Sequence, residues 1–204
     1  MTEERRRSVG QHVGVERRPR CNEPPRFHEA AGRVDPCRHG HAGLLGEELT
    51  RQGVRGQVFI VGGAAIALAY SRRRVTKDID AVFEPKALIY QAAAKVAEEM
   101  GLPDDWLNDA VKGFLPGADP SAVPLPEIEG IEVTTASARY LLALKLMALR
   151  IGEDDEDIQM LLRETGIDRT DDALDLLEQI FSGREPPLKT RLFLEELLGP
   201  ASRG

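Results

Sequence analysis

The sequence predicts a small α/β or α+β sheet domain followed by a helical portion. Strand-like and helix-like segments alternate in the middle of the chain, and only helix-like segments follow them. The composition supports a folded core, since 42% of the 204 residues are hydrophobic. We find no apolar run of about 18 residues that would predict a membrane helix, and no secretory signal. With two cysteines, the expected location is the reducing cytoplasm.

The first 43 residues differ from the rest in composition. They hold nine Arg against six Asp and Glu, whereas residues 44–204 hold 18 basic and 28 acidic residues. They also contain all four histidines and both cysteines, but not the close ligand pairs of a compact zinc site. Residues 1–43 are therefore predicted to be a disordered tail. The net charge of −7 excludes a generic basic coat for nucleic acid.

The order of elements is predicted from hydrophobic runs and helix signals, beginning at Leu44. Residues 102–126 are rich in Pro, Gly and Asp and are predicted to be a long loop, with a helical turn near Trp106, which we expect to be a packing anchor. The predicted domains are a sheet core over 44–135 and a helical domain over 136–204. The predicted strands are 57–61, 78–83 and 127–134. The predicted helices are 44–52, 64–70, 86–100, 137–150 (capped by Ser137), 154–164, 171–181 and 188–198.

Two aspartates in the second predicted strand are the first candidate site. Asp78 and Asp80 lie two residues apart, so their side chains point to the same face of the strand. Carboxylates this close disfavour each other's ionised form unless a cation lies between them. Mg²⁺ fits, because it takes oxygen ligands and leaves positions for phosphate oxygens. The alternative is an edge strand with both carboxylates in water.

A glycine pair precedes the aspartates. Gly62 and Gly63 stand between a predicted buried strand and a predicted helix. Glycine lets a phosphate approach the backbone, and a helix N-terminus offers unpaired N–H groups and the positive end of a dipole. The pair fits neither the dinucleotide-binding fingerprint nor the P-loop. A tight turn is the alternative, but the acidic pair downstream favours a phosphate site.

These residues carry a resemblance to a known superfamily. Val61-Gly62-Gly63, a helix and then a hydrophobic-flanked D-x-D resemble the first motif of the nucleotidyltransferases, which have a DNA polymerase beta-like fold. The version R-x-T-x-D-I-D at residues 74–80 is similar to the AbiEii branch, the toxins of bacterial toxin–antitoxin pairs, including the MenT toxins. Residues 142–158 resemble that branch's second pattern, LxALKLxAxR followed by D-x-x-D-I.

The resemblance implies an α+β fold, with a small mixed sheet, flanking helices and a C-terminal helical portion. It also implies transfer of a nucleotide monophosphate from an NTP with Mg²⁺ to the 3′ end of tRNA, as a toxin with a partner antitoxin protein. Many relatives have Ser where this chain has Gly63, so backbone N–H groups would replace a hydroxyl contact to the triphosphate. The implied metal ligands are Asp78 and Asp80; the implied catalytic residues are Asp80, Lys145 and Asp157; the implied nucleotide-binding residues are Gly62, Gly63, Arg74, Lys77 and Lys145.

Lys145 is also unusual by its position. Its neighbours on the predicted helix, Leu141, Leu142, Ala148 and Leu149, are all apolar. A buried ammonium is costly unless it is paired, so the lysine either extends to solvent or meets a carboxylate or phosphate in a cleft. Asp157 on the next helix is a plausible partner. We expect the rest of the 153–157 acidic run to be a solvated helix start.

Residues 72–77 and Glu132 complete the candidates. Arg72, Arg73, Arg74 and Lys77 form a basic cluster that could bind triphosphate or RNA, or be an ordinary solvated turn. Glu132 is a weak candidate for a third metal carboxylate. Two other functions stay open: the same reaction on a small molecule or protein, which the acidic composition mildly favours, and a non-catalytic protein that binds a nucleotide or partner.

Overall fold

A computed structural model describes residues 36–70 and 78–202. The fold is α+β, as predicted, with a five-stranded mixed sheet flanked by helices in this part of the chain. The helices are α1 (Pro36–Arg51), α2 (Gly62–Ala69), α3 (Lys86–Met100), α4 (Ala138–Ala148), α5 (Asp155–Thr165), α6 (Thr170–Ile180) and α7 (Leu188–Leu198). The strands are β1 (Gly56–Ile60), β2 (Ile79–Glu84), β3 (Leu107–Asn108), β4 (Val123–Pro124) and β5 (Ile131–Thr135).

The sheet has the order β3-β2-β1-β5-β4. The central strand β1 is antiparallel to β2 and parallel to β5. The two-residue strands β3 and β4 lie at the edges, β3 parallel to β2 and β4 antiparallel to β5. The register is such that Gln57 pairs with both Glu84 and Glu132. Residues far apart in sequence therefore form rows across the sheet.

The two faces of the sheet differ in what covers them. Because side chains alternate along a strand, one set points into the core under α1 and α3. Because Gly56 has no side chain, the helices can pack close to β1, since a Cβ at Gly56 would lie only 2.7 Å from Cδ1 of Leu49. The other set is exposed or partly buried, and we call this side the open face. The open face carries Gln57, Phe59, Asp80, Val82, Glu84, Glu132 and Thr134.

The C-terminal helices pack through buried leucines and through two buried threonines. Oγ1 of Thr190, in the first turn of α7, donates to the carbonyl of Leu146 in α4 at 2.7 Å. Oγ1 of Thr170, at the start of α6, donates to the carbonyl of Gly199 at 2.7 Å. These bonds satisfy carbonyls at the C-terminal ends of α4 and α7, where a helix leaves acceptors unused.

Most predicted elements are confirmed to within a few residues. The acidic helices agree within one residue at each end, and Ser137 caps α4 by accepting from the Tyr140 N–H at 3.3 Å. The strand predicted over 127–134 begins only at Ile131, because Gly130 has a φ of +77° and turns the chain. The helix predicted from Leu44 begins at Pro36, and the edge-on packing of His41 against Trp106 accompanies the extra turns.

The loop 102–126 contains more structure than predicted. At the predicted helical turn near Trp106 the chain makes a single turn, in which the Trp106 N–H donates to the Pro103 carbonyl at 3.1 Å. It then enters β3 and forms a 3₁₀ helix at Ala110–Gly113. Trp106 is a packing anchor, as predicted, because its ring is buried and its Nε1 donates to the Ala93 carbonyl at 3.0 Å.

Two other observations bear on the predicted organisation. The prediction that residues 1–43 are a disordered tail falls mainly on residues outside the described part of the chain. Within residues 36–70 and 78–202, the longest helix has 16 residues, too few to span a bilayer.

Candidate active site

The glycine pair forms the turn between β1 and α2. Val61 is the N-cap of α2 in an extended conformation, and its side chain makes no capping hydrogen bond. Gly62 has a φ of +63°, a left-handed conformation that favours glycine. The first N–H groups of a helix have no partner within the helix. The start of α2 therefore presents backbone donors and the positive end of a helix dipole, as the sequence predicted.

Asp80 lies directly beside this turn. A Cβ placed on Gly62 would be 3.3 Å from Oδ2 of Asp80, so the glycine leaves room for the carboxylate. The Val61 N–H donates to the Asp80 carbonyl at 2.9 Å, which fixes the glycine turn against β2. The two predicted motifs, 18 residues apart in sequence, therefore meet at one end of the open face.

The donor set at this end fits a hard divalent cation. Asp80 is partly buried in β2, and Asp78 is exposed just before the strand. Mg²⁺ is commonly held by one or two carboxylates together with substrate phosphates, so two aspartates beside a turn with free backbone N–H groups are enough for such an ion. Among the described residues, no group of three or more carboxylate, histidine or cysteine side chains could hold a metal by itself. The site therefore fits Mg²⁺ bound together with a nucleotide.

Glu132 lies too far along the sheet to share a metal ion with Asp80. Glu132 pairs with Gln57, whereas Asp80 is bonded to Val61, four residues further along β1. At about 3.3 Å per residue, the two levels are about 13 Å apart. The register therefore gives no support to Glu132 as a third metal ligand.

Lys145 occupies a buried ionic cluster rather than solvent. Its Nζ lies 2.5 Å from Oδ1 of Asp154 and 2.9 Å from Oδ2 of Asp157. The lysine side chain is only 12% exposed, so both carboxylates offset the cost of burying its charge. The pairing with Asp157 agrees with the partner suggested from the sequence.

Asp154 is the functional candidate that the sequence reasoning missed. The expectation that the acidic run outside Asp157 is solvated is wrong for this residue, which is 1% exposed. Its Oδ2 also accepts from the Arg150 backbone N–H at 2.9 Å, which closes the turn between α4 and α5. The signal was the D-x-x-D spacing, because residues three apart lie on the same side of a helix start.

Hydrogen bonds keep the Asp154 carboxylate ionised in this setting. Burial alone would raise the pKa of Asp154. Hydrogen bonds from Arg150 and Lys145 outweigh burial and hold the pKa of Asp154 below its usual value. Two carboxylates and two cations thus form one network at the junction of α4 and α5.

The two groups of candidates lie on neighbouring elements. The helix α2, which begins at the glycine turn, packs against α4, which carries Lys145. Arg74 and Lys77, the basic candidates for nucleotide binding, fall outside the described residues, so their role stays a prediction.

The sequence was compared with protein families, curated proteins and solved structures. Residues 45–186 match the family DUF6036, described as a nucleotidyltransferase of unknown function. No curated protein and no solved structure gave a match. The matched region contains the glycine turn, both aspartates and the Lys145 cluster, and it covers well over half of the chain. The chain therefore belongs to the DUF6036 family of nucleotidyltransferases.

Proposed function

We propose that the protein transfers a nucleotide monophosphate from an NTP to a hydroxyl group of an acceptor. The observation that carries this proposal is the 3.3 Å approach between the Gly62 Cβ position and the Asp80 carboxylate. It unites a phosphate-binding turn with a carboxylate that suits a divalent cation.

The reaction would proceed by in-line displacement. The acceptor oxygen forms a bond to the α-phosphorus, and the bond from that phosphorus to the oxygen bridging to the β-phosphate breaks. Pyrophosphate leaves with the bonding electrons, and the acceptor proton passes to water. Backbone N–H groups at Gly62 and Gly63 would bind phosphate oxygens, and Asp78 and Asp80 would hold Mg²⁺. When bound, the ion would neutralise phosphate charge and favour deprotonation of the acceptor hydroxyl.

The Lys145 cluster would support the same step from α4. Asp154 and Asp157 hold the Lys145 side chain in a fixed position, and an ammonium group placed near the phosphates would stabilise their negative charge. Lys145 and Asp157 are, with Asp80, the catalytic residues implied by the resemblance, and Asp154 is added here as a third member of the Lys145 cluster. Arg74 and Lys77 are proposed to contribute positive charge to nucleotide binding.

The acceptor is proposed from the resemblance to the AbiEii and MenT toxins. On that basis the acceptor is the 3′ end of tRNA, the biological role is that of a toxin blocking translation, and a cognate antitoxin protein is expected. A small-molecule or protein acceptor is the second candidate. One observation favours it: the open face beside Asp80 carries Glu84 and Glu132, and carboxylates repel an RNA backbone.

The proposal is tested by transfer of label from each α-³²P-NTP to total tRNA with Mg²⁺. Wild-type protein should label the RNA, and Asp80→Asn should lower the rate by at least about a hundredfold, as expected for loss of a metal ligand. Glu98→Gln, an exposed carboxylate on α3, is the matched control and should match wild type. Mg²⁺-dependent NTP binding without labelled RNA would favour the second acceptor class. Failure of the wild-type protein to bind any NTP would contradict the proposed function.

A further inference from the structure

The short edge strand β3 places Asn108 beside Asp80. In the pairing of β2 with β3, Asp80 is the partner of Asn108. Paired residues on neighbouring strands point to the same face of a sheet, so both side chains lie on the open face, whereas Leu107 is buried in the core. Neighbouring strands are about 5 Å apart. The glycine turn, Asp80 and Asn108 therefore form one row across β1, β2 and β3.

The chain on both sides of Asn108 is held in place, although β3 has only two residues. Before Asn108, Trp106 is buried and its Nε1 donates to a carbonyl of α3 at 3.0 Å. After Asn108, the Asp109 carboxylate accepts from the Tyr90 hydroxyl at 2.6 Å and pairs with the Lys86 ammonium at 2.5 Å. Tyr90 and Lys86 also belong to α3. These contacts with α3 fix the position of Asn108 at the edge of the sheet.

One hydrogen bond sets the orientation of the Asn108 amide. Its Oδ1 accepts from the Ala110 backbone N–H at 3.2 Å, at the start of the 3₁₀ helix. Because a backbone N–H needs an acceptor, the amide oxygen is on that side and Nδ2 is on the other. Within residues 36–70 and 78–202, no group accepts a hydrogen bond from Nδ2. Asn108 therefore presents a neutral donor in the same row as the Asp80 carboxylate.

The order of groups in the row decides which part of an NTP reaches this donor. Oδ2 of Asp80 lies toward the glycine turn, so Asp80 stands between that turn and Asn108. Asn108 is two strands away from the turn, which is about 10 Å. If the terminal phosphates bind at the turn, the α-phosphate is the one directed toward Asn108. Nδ2 can only donate a hydrogen bond, so it suits a phosphate oxygen and cannot be the base that takes the acceptor proton.

We infer that Asn108 is a further catalytic residue, whose Nδ2 donates to a non-bridging oxygen of the α-phosphate. The inference rests on the proposed nucleotidyl transfer, in which the α-phosphorus is attacked. A fixed donor stabilises the negative charge on the phosphate oxygens in the transition state. The bonds that form and break are those of the in-line displacement given above, and Asn108 keeps its protons throughout. An amide also does not add negative charge beside the phosphates, as a carboxylate would.

Two substitutions distinguish the donor from the shape of the side chain. Asn108→Asp keeps the size and an oxygen that can accept from the Ala110 N–H, but it has a negative charge in place of the donor. Asn108→Ala removes the amide. Each should lower kcat for transfer of label from α-³²P-NTP at least about a hundredfold, the usual cost of losing one such donor, while the KM for NTP changes much less.

The matched control is Asp105→Ala, at an exposed position in the same loop, and it should transfer label at the wild-type rate. Transfer by Asn108→Asp at the wild-type rate would overturn the inference, because the donor would then be unnecessary. A rise in the KM for NTP with an unchanged kcat would overturn it as well, since Asn108 would then bind the nucleotide equally in the ground state and the transition state.

Sulfur substitution at the α-phosphate tests the contact itself. Each diastereomer of an α-thio NTP has sulfur in place of one non-bridging oxygen, and sulfur is a weak acceptor. In the wild-type protein, the diastereomer whose sulfur faces Nδ2 should react about tenfold more slowly because one hydrogen bond is weakened. In Asn108→Ala that difference should disappear. A purely structural role would leave the sulfur effect the same in both proteins, and this result would overturn the inference.

A binding measurement separates this inference from the proposed function. The side-chain amide signals of Asn108 are the pair that is absent from the ¹⁵N–¹H spectrum of Asn108→Asp. The α,β-methylene analogues of ATP, GTP, CTP and UTP, which cannot undergo the transfer, are added with Mg²⁺, and the one that binds should shift this pair. An analogue that binds without shifting the pair would overturn the inference and leave the proposed function standing. If none of the analogues binds, the proposed function is contradicted and the inference with it.

Discussion

The Asp154 carboxylate makes the stability of the folded protein depend on pH. It is almost fully buried and accepts hydrogen bonds from both Lys145 and Arg150. Its folded-state pKa lies below the ordinary value, so the unfolded chain binds the proton more tightly than the folded one. The stabilisation is therefore complete above the unfolded pKa of about 3.9 and is lost as the pH falls through the lower folded pKa.

Asp154→Asn should lower the free energy of unfolding by about 3 kcal/mol at pH 7, because Lys145 would lose a buried partner. The difference from wild type should shrink as the pH falls below about 4, where the wild-type carboxylate becomes protonated. Urea denaturation at a series of pH values measures this difference. Glu156→Gln, an exposed neighbour on α5, is the control and should have almost no effect at any pH. A pH-independent loss in Asp154→Asn would contradict the ionic account.

Comparing substitutions at Gly62 and Gly101 distinguishes the effect of backbone strain from the effect of contact with the site. Both have positive φ, +63° and +65°, but a Cβ on Gly62 would face Asp80 whereas a Cβ on Gly101 would meet nothing within 4 Å. Each change to alanine should cost about 1–2 kcal/mol of stability through strain. Only Gly62→Ala should also weaken Mg²⁺–NTP binding, because its methyl group would displace the carboxylate. Equal NTP affinity in the two variants would show that the glycine turn is not the phosphate site.

At the scale of elements, α7 holds the end of the helix that carries Lys145. The family match ends at residue 186, just before α7 begins. In its first turn, Lys189 donates from Nζ to the Leu149 carbonyl at 2.6 Å, and the buried Thr190 hydroxyl donates to the Leu146 carbonyl. Both acceptors are at the C-terminal end of α4, where carbonyls lack partners within the helix.

Thr190→Val keeps the shape of the side chain but removes the donor, leaving the Leu146 carbonyl buried without a partner. We expect a loss of about 1–3 kcal/mol in the free energy of unfolding. Thr190→Ser, which keeps the hydroxyl, should retain more of the stability. Chemical denaturation of both variants tests this, and a serine variant as unstable as the valine variant would indicate that packing of the methyl group matters, rather than the hydrogen bond.

The elements were largely predictable because their signals are local. The run Gln57–Val61, the helix formers after Gly63 and the Ser137 cap each act within a few residues, and each element appears within a few residues of its predicted place. The departures have long-range causes. The two-residue strand β3 exists because Ile79 donates its N–H to the Trp106 carbonyl at 2.7 Å, a contact across 27 positions that no local pattern contains.

At the scale of the whole molecule, the sequence motifs predicted which residues carry the chemistry, but not all of the contacts between them. The resemblance implied that Gly62, Gly63 and Asp80 belong to one site, and Gly62 and Asp80 do lie side by side. The burial of Asp154 depends on where Lys145 and Arg150 meet it. The position of Glu132 on the open face depends on a register that joins it to Gln57, 75 residues away. Sequence spacing gives the residue types for the chemistry, and the sheet register decides which of them share a site.

The charge is unevenly distributed along the whole chain. Residues 44–204 carry a large excess of acidic residues, while the basic cluster at residues 72–77 lies just before Asp78. A local positive potential beside carboxylates suits a nucleotide triphosphate held with a divalent cation. Because this acidic excess disfavours an RNA backbone, small-molecule and protein acceptors should be tested alongside RNA.

The central claim is that the glycine turn and Asp80 carry nucleotidyl transfer, and the position of the label tests it most directly. The protein, Mg²⁺ and total tRNA are incubated with the same NTP labelled either at the α- or at the γ-phosphate. The account predicts that the α label joins an acceptor, that the γ label is released as pyrophosphate, and that Asp80→Asn abolishes both. Transfer of the γ label to an acceptor would contradict it, since the reaction would then be phosphoryl transfer, and so would α-label transfer that survives in Asp80→Asn.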